Sequence, residues 1–498
     1  MLYTIAPADM QQLEKEYMAQ LDVPGALLME HAAAAVCDAL SRHAGADATA
    51  LFLCGPGNNG GDGYAAARIW QQRGGKSVII ELTDSLRGDA LMNRRLAEQN
   101  DIPLLSAYGI TELPAHDVIV DALFGTGLSR APEGAALMLI RLANASQSPV
   151  IAVDIPSGLS GLDGVVPGEA VFADETVTFH RPKHGLYLGQ AADYTGAVTV
   201  APILLPASYG KAGGMAVMTK EDLHRLLPCR PQRAHKGTFG KTVIFAGSFG
   251  MAGAAALCAK ACVKAGSGLT TLLCRESILP ILQTLCPAAV CIPLPEENGR
   301  LTGECTAIAA AELKSAASAV VGCGLGQSDD VIPMLNVFRQ AACPVVWDAD
   351  ALNLLSAHPE LLPLPSGAVI TPHPGEAARL SEVSISQLTA DMPAALRMLR
   401  KKTGAYVLLK DARTLMTDGT STAVNPIGTP ALSRGGSGDI LSGILGALLA
   451  QRRTLPATQL ELMQLAAYIH ADAAIRAAEL LGEYCVTPQD VIRHIRLG

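Results

Sequence analysis

Aromatic side chains are scarce in this chain, with 8 Phe, 10 Tyr and 2 Trp in 498 residues. With so little aromatic mass and as many as 48 Gly, close-packed α/β layers are expected rather than a β-sandwich. Charge is sparse too, at 17 % of residues, and the net charge of −8 comes without any basic run. That balance argues against nucleic-acid and anionic-membrane partners. No apolar stretch reaches the roughly 20 residues that a membrane helix needs. The start, MLYTIAPADMQQLEKEY, is polar and charged, unlike a signal peptide. None of the 12 Cys forms a CxxC pair, which excludes a zinc ribbon or a disulfide framework and reads as reduced thiols. A soluble, cytoplasmic protein is expected. The length suits roughly two to four domains, and the 49 % of hydrophobic residues can fill large cores.

Against these absences stands a set of glycine-rich stretches placed at strand ends. Helical spacing of apolar residues covers 8–18 and 26–40. A short buried strand, Ala50–Cys54, then runs into GPGNNGGDG at 55–63, and a helix is expected from Tyr64 to Arg73. Strand, glycine loop and helix form the layout of a Rossmann-like site at the carboxyl end of a parallel sheet. The spacing is not that of an ordinary dinucleotide fingerprint. Further strands are expected at 77–82, 117–121 and 150–153, alternating with helices. Two of them end in an acid followed by small residues: DVIVDALFGTG at 117–127 and PVIAVDIPSG at 149–158. Asp121 and Asp154 should therefore face the ligand crevice of an α/β sheet. Asn59, Asp121 and Ser157 offer hard oxygen ligands, which with backbone carbonyls suit an alkali or alkaline-earth cation; spacing leaves that open.

Small and glycine-rich residues at 207–218 mark the expected domain boundary. A second α/β alternation follows, with strands expected at 241–246, 269–274, 319–322, 345–347, 368–371 and 406–410. Its strand ends carry VGCGLG (321–326), DADALN (348–353), TPHPGE (371–376) and KDART (410–414). The most chemical stretch is NPIGTPALSRGGSGDILSGIL at 425–445. Gly435, Gly436 and Gly438 free the backbone just before an apolar helix, whose unpaired N–H groups and positive dipole end favour an anion such as phosphate. Asp439 sits at that rim, where a carboxylate can accept a hydroxyl proton. No Gly-Lys-Ser/Thr follows, so this is not a Walker loop. Lys410 and Arg413 supply cations suited to phosphate.

GPGNNGGDG, DALFGTG, VDIPSG and RPKHGL (181–186) together resemble the epimerase domain of the NAD(P)HX repair enzymes, which act on hydrated nicotinamide coenzymes. HKGTFG (235–240), DADALN, TPHPGE, NPIGTP and GGSGDIL resemble the ribokinase-like dehydratase domain of the same family. Ile427 and Arg434 stand where small residues are frequent in that pattern. The resemblance implies an epimerase domain over 1–215 and an ADP-dependent dehydratase domain over 219–498. It implies substrate contacts at Asn58, Asn59, Gly60, Gly61, Asp62, Gly125, Thr126, Gly127, Leu128, Ser129, Arg130, Ala131 and Asp154, with Asp154 as acid/base. Asn59, Asp121 and Ser157 would hold potassium. In the second domain, Lys410, Asp411, Ala412, Arg413, Thr414 and Gly438 would contact the adenine nucleotide. Ala254, Gly326, His373 and Asp439 would contact the hydrated coenzyme, with Asp439 as general base. The implied ligands are NADHX, NADPHX, ADP and Mg2+, and a homo-oligomer is expected. A small-metabolite hydroxyl kinase carrying an N-terminal nucleotide-binding module is the alternative.

Overall fold

The computed structural model describes residues 1–127, 130–210 and 213–497. The chain folds as two compact units, one spanning Leu2–Met215 and the other running from Ala216 onward with Met1. Both are α/β. Among the described residues no helix is long and apolar enough to cross a membrane.

The N-terminal unit opens with a short strand β1 (Leu2–Tyr3) and the helices α1 (Pro7–Leu21) and α2 (Gly25–His43). It continues β2 (Thr49–Cys54), α3 (Asn58–Gln72), β3 (Lys76–Glu81), α4 (Gly88–Gln99), β4 (Leu104–Ser106), β5 (Val118–Ala122), α5 (Gly134–Ala145), β6 (Val150–Val153), β7 (Glu175–Phe179) and β8 (Ala197–Ala201). The seven strands β2 to β8 form one sheet in the order β4-β3-β2-β5-β6-β7-β8, with every pair parallel. Parallel strands covered on both faces read as continuous apolar runs, and β2, β5 and β6 are buried almost throughout. The order reverses between β2 and β5. That switch point is where open α/β sheets bind ligands, and it lies between GPGNNGGDG and DALFGTG.

One expectation needs correcting here. The sequence suggested a glycine loop through residue 63, but α3 already begins at Asn58. The glycines inside it serve close packing. A Cβ built on Gly60 would lie 2.0 Å from the Gly55 carbonyl oxygen. Gly60→Ala must therefore push α3 off the end of β2, at a cost of at least about 1–3 kcal/mol for overpacking. Thermal melting of that variant should show an early transition with loss of the first unit's activity. An unchanged melt would contradict this packing.

The C-terminal unit runs β9 (Ala216–Val217), α6 (Lys220–Leu226), β10 (Lys241–Phe245), α7 (Ala252–Lys264), β11 (Leu269–Arg275), α8 (Leu279–Leu285), β12 (Val290–Leu294), the hairpin β13 (Glu296–Glu297) and β14 (Arg300–Leu301), then α9 (Glu304–Leu313) and β15 (Ser318–Val321). It goes on through α10 (Ile332–Arg339), β16 (Val345–Trp347), α11 (Asp350–Ala357), β17 (Val369–Ile370), α12 (Pro374–Ser381), α13 (Ile385–Ala390), α14 (Met392–Thr403), β18 (Tyr406–Leu409), β19 (Leu415–Thr417), β20 (Thr422–Val424), α15 (Ser437–Ala450), α16 (Gln459–Leu481) and α17 (Pro488–His494). Strands β18-β17-β16-β15-β10-β11-β12 are parallel neighbours in that order. Strands β19 and β20 add an antiparallel margin that the sequence reading missed. Since β10, β15, β16, β17 and β18 run the same way, the loops after them open at one edge of the sheet. Helix α15 is buried along most of its length and packs on α7.

Candidate active sites

In the N-terminal unit, Asp154 follows β6 in the left-handed region at φ 66°. Such a conformation is strained for a residue with a side chain, and it persists only where the surroundings enforce it. They do so here. Thr178 Oγ1 donates to Asp154 Oδ1 at 2.9 Å, and Lys183 Nζ donates to the same oxygen at 2.5 Å. Lys183 is buried, with its ammonium also near Thr178 Oγ1 and the Phe179 carbonyl. Two more carboxyls share this field. Burial, then the charges of Asp154 and Glu14, push Asp62 well above the usual carboxylate range. Burial raises Glu14 as well, against the pull of Lys183. The cluster thus joins the Asp154–Lys183 ion pair to two carboxyls biased toward keeping their protons, which suits proton transfer in both directions.

Sequence reasoning missed Lys183 and Glu14. The RPKHGL motif contains the lysine, but nothing local showed that its partner lies 29 residues away. Glu14 comes from α1, whose pattern reads simply as an amphipathic helix. The same helix reaches the predicted loop through Gln11 Nε2, which donates to Thr126 Oγ1 at 3.2 Å.

Asp121 is fully buried at the end of β5. Its Oδ1 accepts from Ser157 Oγ at 2.6 Å and its Oδ2 from Ser157 N at 2.7 Å. Burial lifts its carboxyl to about 6 against those bonds. Ser157 Oγ also accepts from Phe124 N at 2.8 Å. Next along the chain, a Cβ on Gly125 would lie 3.0 Å from Asn59 Oδ1. Asn59, Asp121 and Ser157 thus surround one turn. Among the described residues Asn59 Nδ2 is buried without a hydrogen-bond partner. The oxygens offered, from amide, carboxylate, hydroxyl and carbonyl, fit a hard monovalent or divalent cation. Asn58 and Arg130 are exposed. Ala131 is turned toward Gly168, whose built Cβ would lie 3.1 Å from it. Leu128 and Ser129, also expected at the substrate, lie outside the described residues.

In the C-terminal unit, Gly436 precedes α15 with φ 95°, and no side chain caps the helix. Ser437 N donates to the Arg434 carbonyl at 3.3 Å, and the next N–H groups of that first turn suit an anionic ligand. Asp439 stands in that first turn. Burial, followed by the charge of Asp348, raises its carboxyl to about 6, with Cys323 and Lys410 pulling the other way. A carboxylate poised there is a competent base near neutral pH.

Lys410, expected on nucleotide phosphates, is held in place by two carboxylates. Its Nζ donates to Asp348 Oδ1 at 2.9 Å and lies 3.9 Å from Glu376 Oε2. Burial opposes its charge, but the two carboxylates outweigh it and hold Lys410 above its ordinary range. The rest of KDART forms the turn into β19. There Arg413 donates to the Pro426 carbonyl, and Thr414 O accepts from Asn425 N at 2.9 Å, so the turn lies against NPIGTP. Asp411 and Ala412 are exposed on it. His373 caps α12: its Nδ1 accepts from Gly375 N at 3.0 Å, and its backbone N–H donates to Glu376 Oε2 at 2.8 Å. That fixes the ring with its remaining nitrogen, Nε2, 3.5 Å from Glu376 Oε1 on a half-exposed side chain. Gly326 N donates to Asp350 Oδ2 at 2.8 Å, and Ala254 is close to Gly324, two residues earlier. Arg434 donates to the Tyr484 carbonyl, tying the glycine stretch to the segment after α16.

The second unit is thus a parallel sheet with a partly buried lysine after β18 and a base in the first turn of a glycine-led helix, and its fold is ribokinase-like. A ribokinase-like superfamily protein from Enterococcus faecalis V583 superposes with a TM-score of 0.50 at 27 % identity, covering 56 % of this chain and 94 % of its own. The family model for NAD(P)H-hydrate dehydratase matches residues 242–497, and that for the YjeF-related protein N-terminus matches residues 25–185. The bifunctional NAD(P)H-hydrate repair enzyme Nnr of Coxiella burnetii is 36 % identical over 89 % of this chain and 88 % of its own length. The enzyme of the same name from Moorella thermoacetica is 32 % identical over 99 % and 95 %. The chain belongs to the family of bifunctional NAD(P)H-hydrate repair enzymes.

Proposed function

We propose that this chain repairs both C6 epimers of NADHX and NADPHX, with residues 1–215 interconverting the epimers and residues 219–498 dehydrating the S form at the expense of ADP. Support for the second step comes above all from Asp439, a carboxyl raised to about 6 in the first turn of an uncapped helix. Hydroxide is a poor leaving group, so the C6 oxygen must first be converted into a better one. Asp439 takes its proton as the oxygen attacks the terminal phosphoryl group of ADP. The backbone at Gly435, Gly436 and Gly438 and the start of α15 stabilise charge on the transferred group. AMP departs; the C6–O bond then breaks with loss of phosphate while C5 gives up a proton to solvent, and the C5–C6 double bond of the dihydronicotinamide re-forms. Mg2+ would accompany the nucleotide and supply further positive charge at its phosphates, beside Lys410 and Arg413. His373, Ala254 and Gly326 would line the coenzyme side, and residues 410–414 the nucleotide side.

In the first unit, C6 is bonded to both the ring nitrogen and a hydroxyl; removing the hydroxyl proton while protonating the nitrogen side breaks the C6–N bond to give an aldehyde, and the reverse transfers re-form that bond on the other face. Asp154 would act as the base, with Asp62 and the loop at 125–131 beside the substrate. Potassium, held by Asn59, Asp121 and Ser157, would supply a fixed positive charge that orders this corner. Replacing K+ by a large organic cation should lower epimerisation and the melting temperature of a fragment covering residues 1–215. If neither changed with K+ concentration, the cation assignment would fail. The overall reading is tested by adding ADP to hydrated coenzyme and following the absorbance of reduced nicotinamide. A kinase would consume ADP and leave a phosphorylated product instead.

A further inference from the structure

DADALN stands out in the sequence, yet the chemistry above gives its first acid no part. Asp348 directly follows β16 and is 1 % exposed. An acid so buried must be paired on both oxygens to be tolerated. Its Oδ1 accepts from Lys410 Nζ at 2.9 Å, after β18, and its Oδ2 accepts from Ser442 Oγ at 2.7 Å, inside α15. Between those two anchors lies the reacting edge of the helix. A Cβ built on Gly438 would stand 3.3 Å from Lys410 Nζ and 3.7 Å from Asp348 Oδ2. Asp439 is the next residue.

We propose that Asp348 is a positioning residue for dehydration: it clamps Lys410 and α15 together, so that the ammonium lies directly beneath Gly438 and the Asp439 base. The inference rests on the dehydratase reading of this unit. Ser442 is one turn on from Asp439, at i+3, so its bond to Asp348 sets how α15 is rotated and where Asp439 points. The bond to Lys410 sets where positive charge meets the transferred phosphoryl group. Glu376, from α12, steadies the ammonium from a second side at 3.9 Å. Asp348 acts through Lys410 and Ser442, the two groups it binds.

The groups facing Asp439 are Asp348, Lys410, Cys323 and Asp350. Removing the Asp348 charge takes away a like charge, so Asp439 should titrate lower. In the full-length protein, Asp348→Asn should lower kcat for ADP-dependent dehydration by at least about 100-fold while the KM for ADP changes less than about threefold. The acid limb of its pH profile should move to lower pH, which a purely structural role would not produce. Ser442→Ala removes one anchor without changing charge. It should lower kcat about tenfold and leave the acid limb in place. A kcat within about threefold of wild type in both variants, with unshifted limbs, would overturn the proposal. If Asp348→Asn fails to fold, Ser442→Ala decides alone, through its kcat. A wild-type chain that does not dehydrate the hydrate would instead overturn the dehydratase reading, so the two failures are distinguishable.

Discussion

Asp439→Asn is expected to lose dehydration by about 10²–10⁴-fold while epimer interconversion continues at the wild-type rate. The substitution keeps the shape of the side chain and removes only its capacity to accept a proton. With the carboxyl at about 6, the wild-type dehydration rate should fall as pH drops through that value. Stability follows the opposite sign. The folded-state value lies above the ordinary 3.8, so the native protein binds more protons than the unfolded chain between the two. The stability from this group is fully present below 3.8 and is lost as pH rises through about 6. Asp439→Asn should therefore melt no lower than wild type at neutral pH. Dehydration retained in this variant would remove Asp439 from the mechanism.

Asp154→Ala is expected to abolish interconversion of the epimers, while S-epimer repair with ADP proceeds. Two effects combine here. The variant loses the base, and it leaves the buried Lys183 ammonium without its partner at 2.5 Å. Breaking a buried pair costs about 3–5 kcal/mol, so the first unit should also melt lower. Asp154→Asn separates the effects, because it can retain the Thr178 bond and keeps the volume. Its epimerisation should be lost by a comparable factor with a smaller change in melting. Chiral chromatography of the remaining hydrate reads the result. Equal consumption of both epimers above the spontaneous rate would count against the assignment.

Much of this was legible in the sequence because strand ends announce themselves. A buried run that stops at an acid and then turns through small residues identified the carboxyl edges of β5 and β6, and Asp121 and Ser157 lie in hydrogen-bond contact there. The parallel order in the second unit likewise explains why VGCGLG, DADALN, TPHPGE and KDART open at one edge. What stayed hidden depends on partners distant in the chain. KDART shows Lys410 as a candidate phosphate ligand, but nothing local shows that its ammonium also pairs with Asp348, after β16, and lies near Glu376, in α12. Lys183 and Glu14 join the Asp154 cluster only through the fold. Strand β7 (ETVTF) escaped notice because its polar residues are buried and paired: Thr178 on Asp154, and Glu175 with Arg42, His43 and Thr199. The start of α3 was misplaced because glycines that serve packing look the same in sequence as glycines that serve a loop.

The most direct measurement incubates the full-length protein with mixed R- and S-hydrates and ADP, following both epimers, AMP and reduced nicotinamide together. The account predicts that both epimers disappear, with AMP and reduced coenzyme rising in equal amounts. Accumulation of a phosphorylated hydrate without reduced nicotinamide, or persistence of the R form after the S form is exhausted, would contradict it.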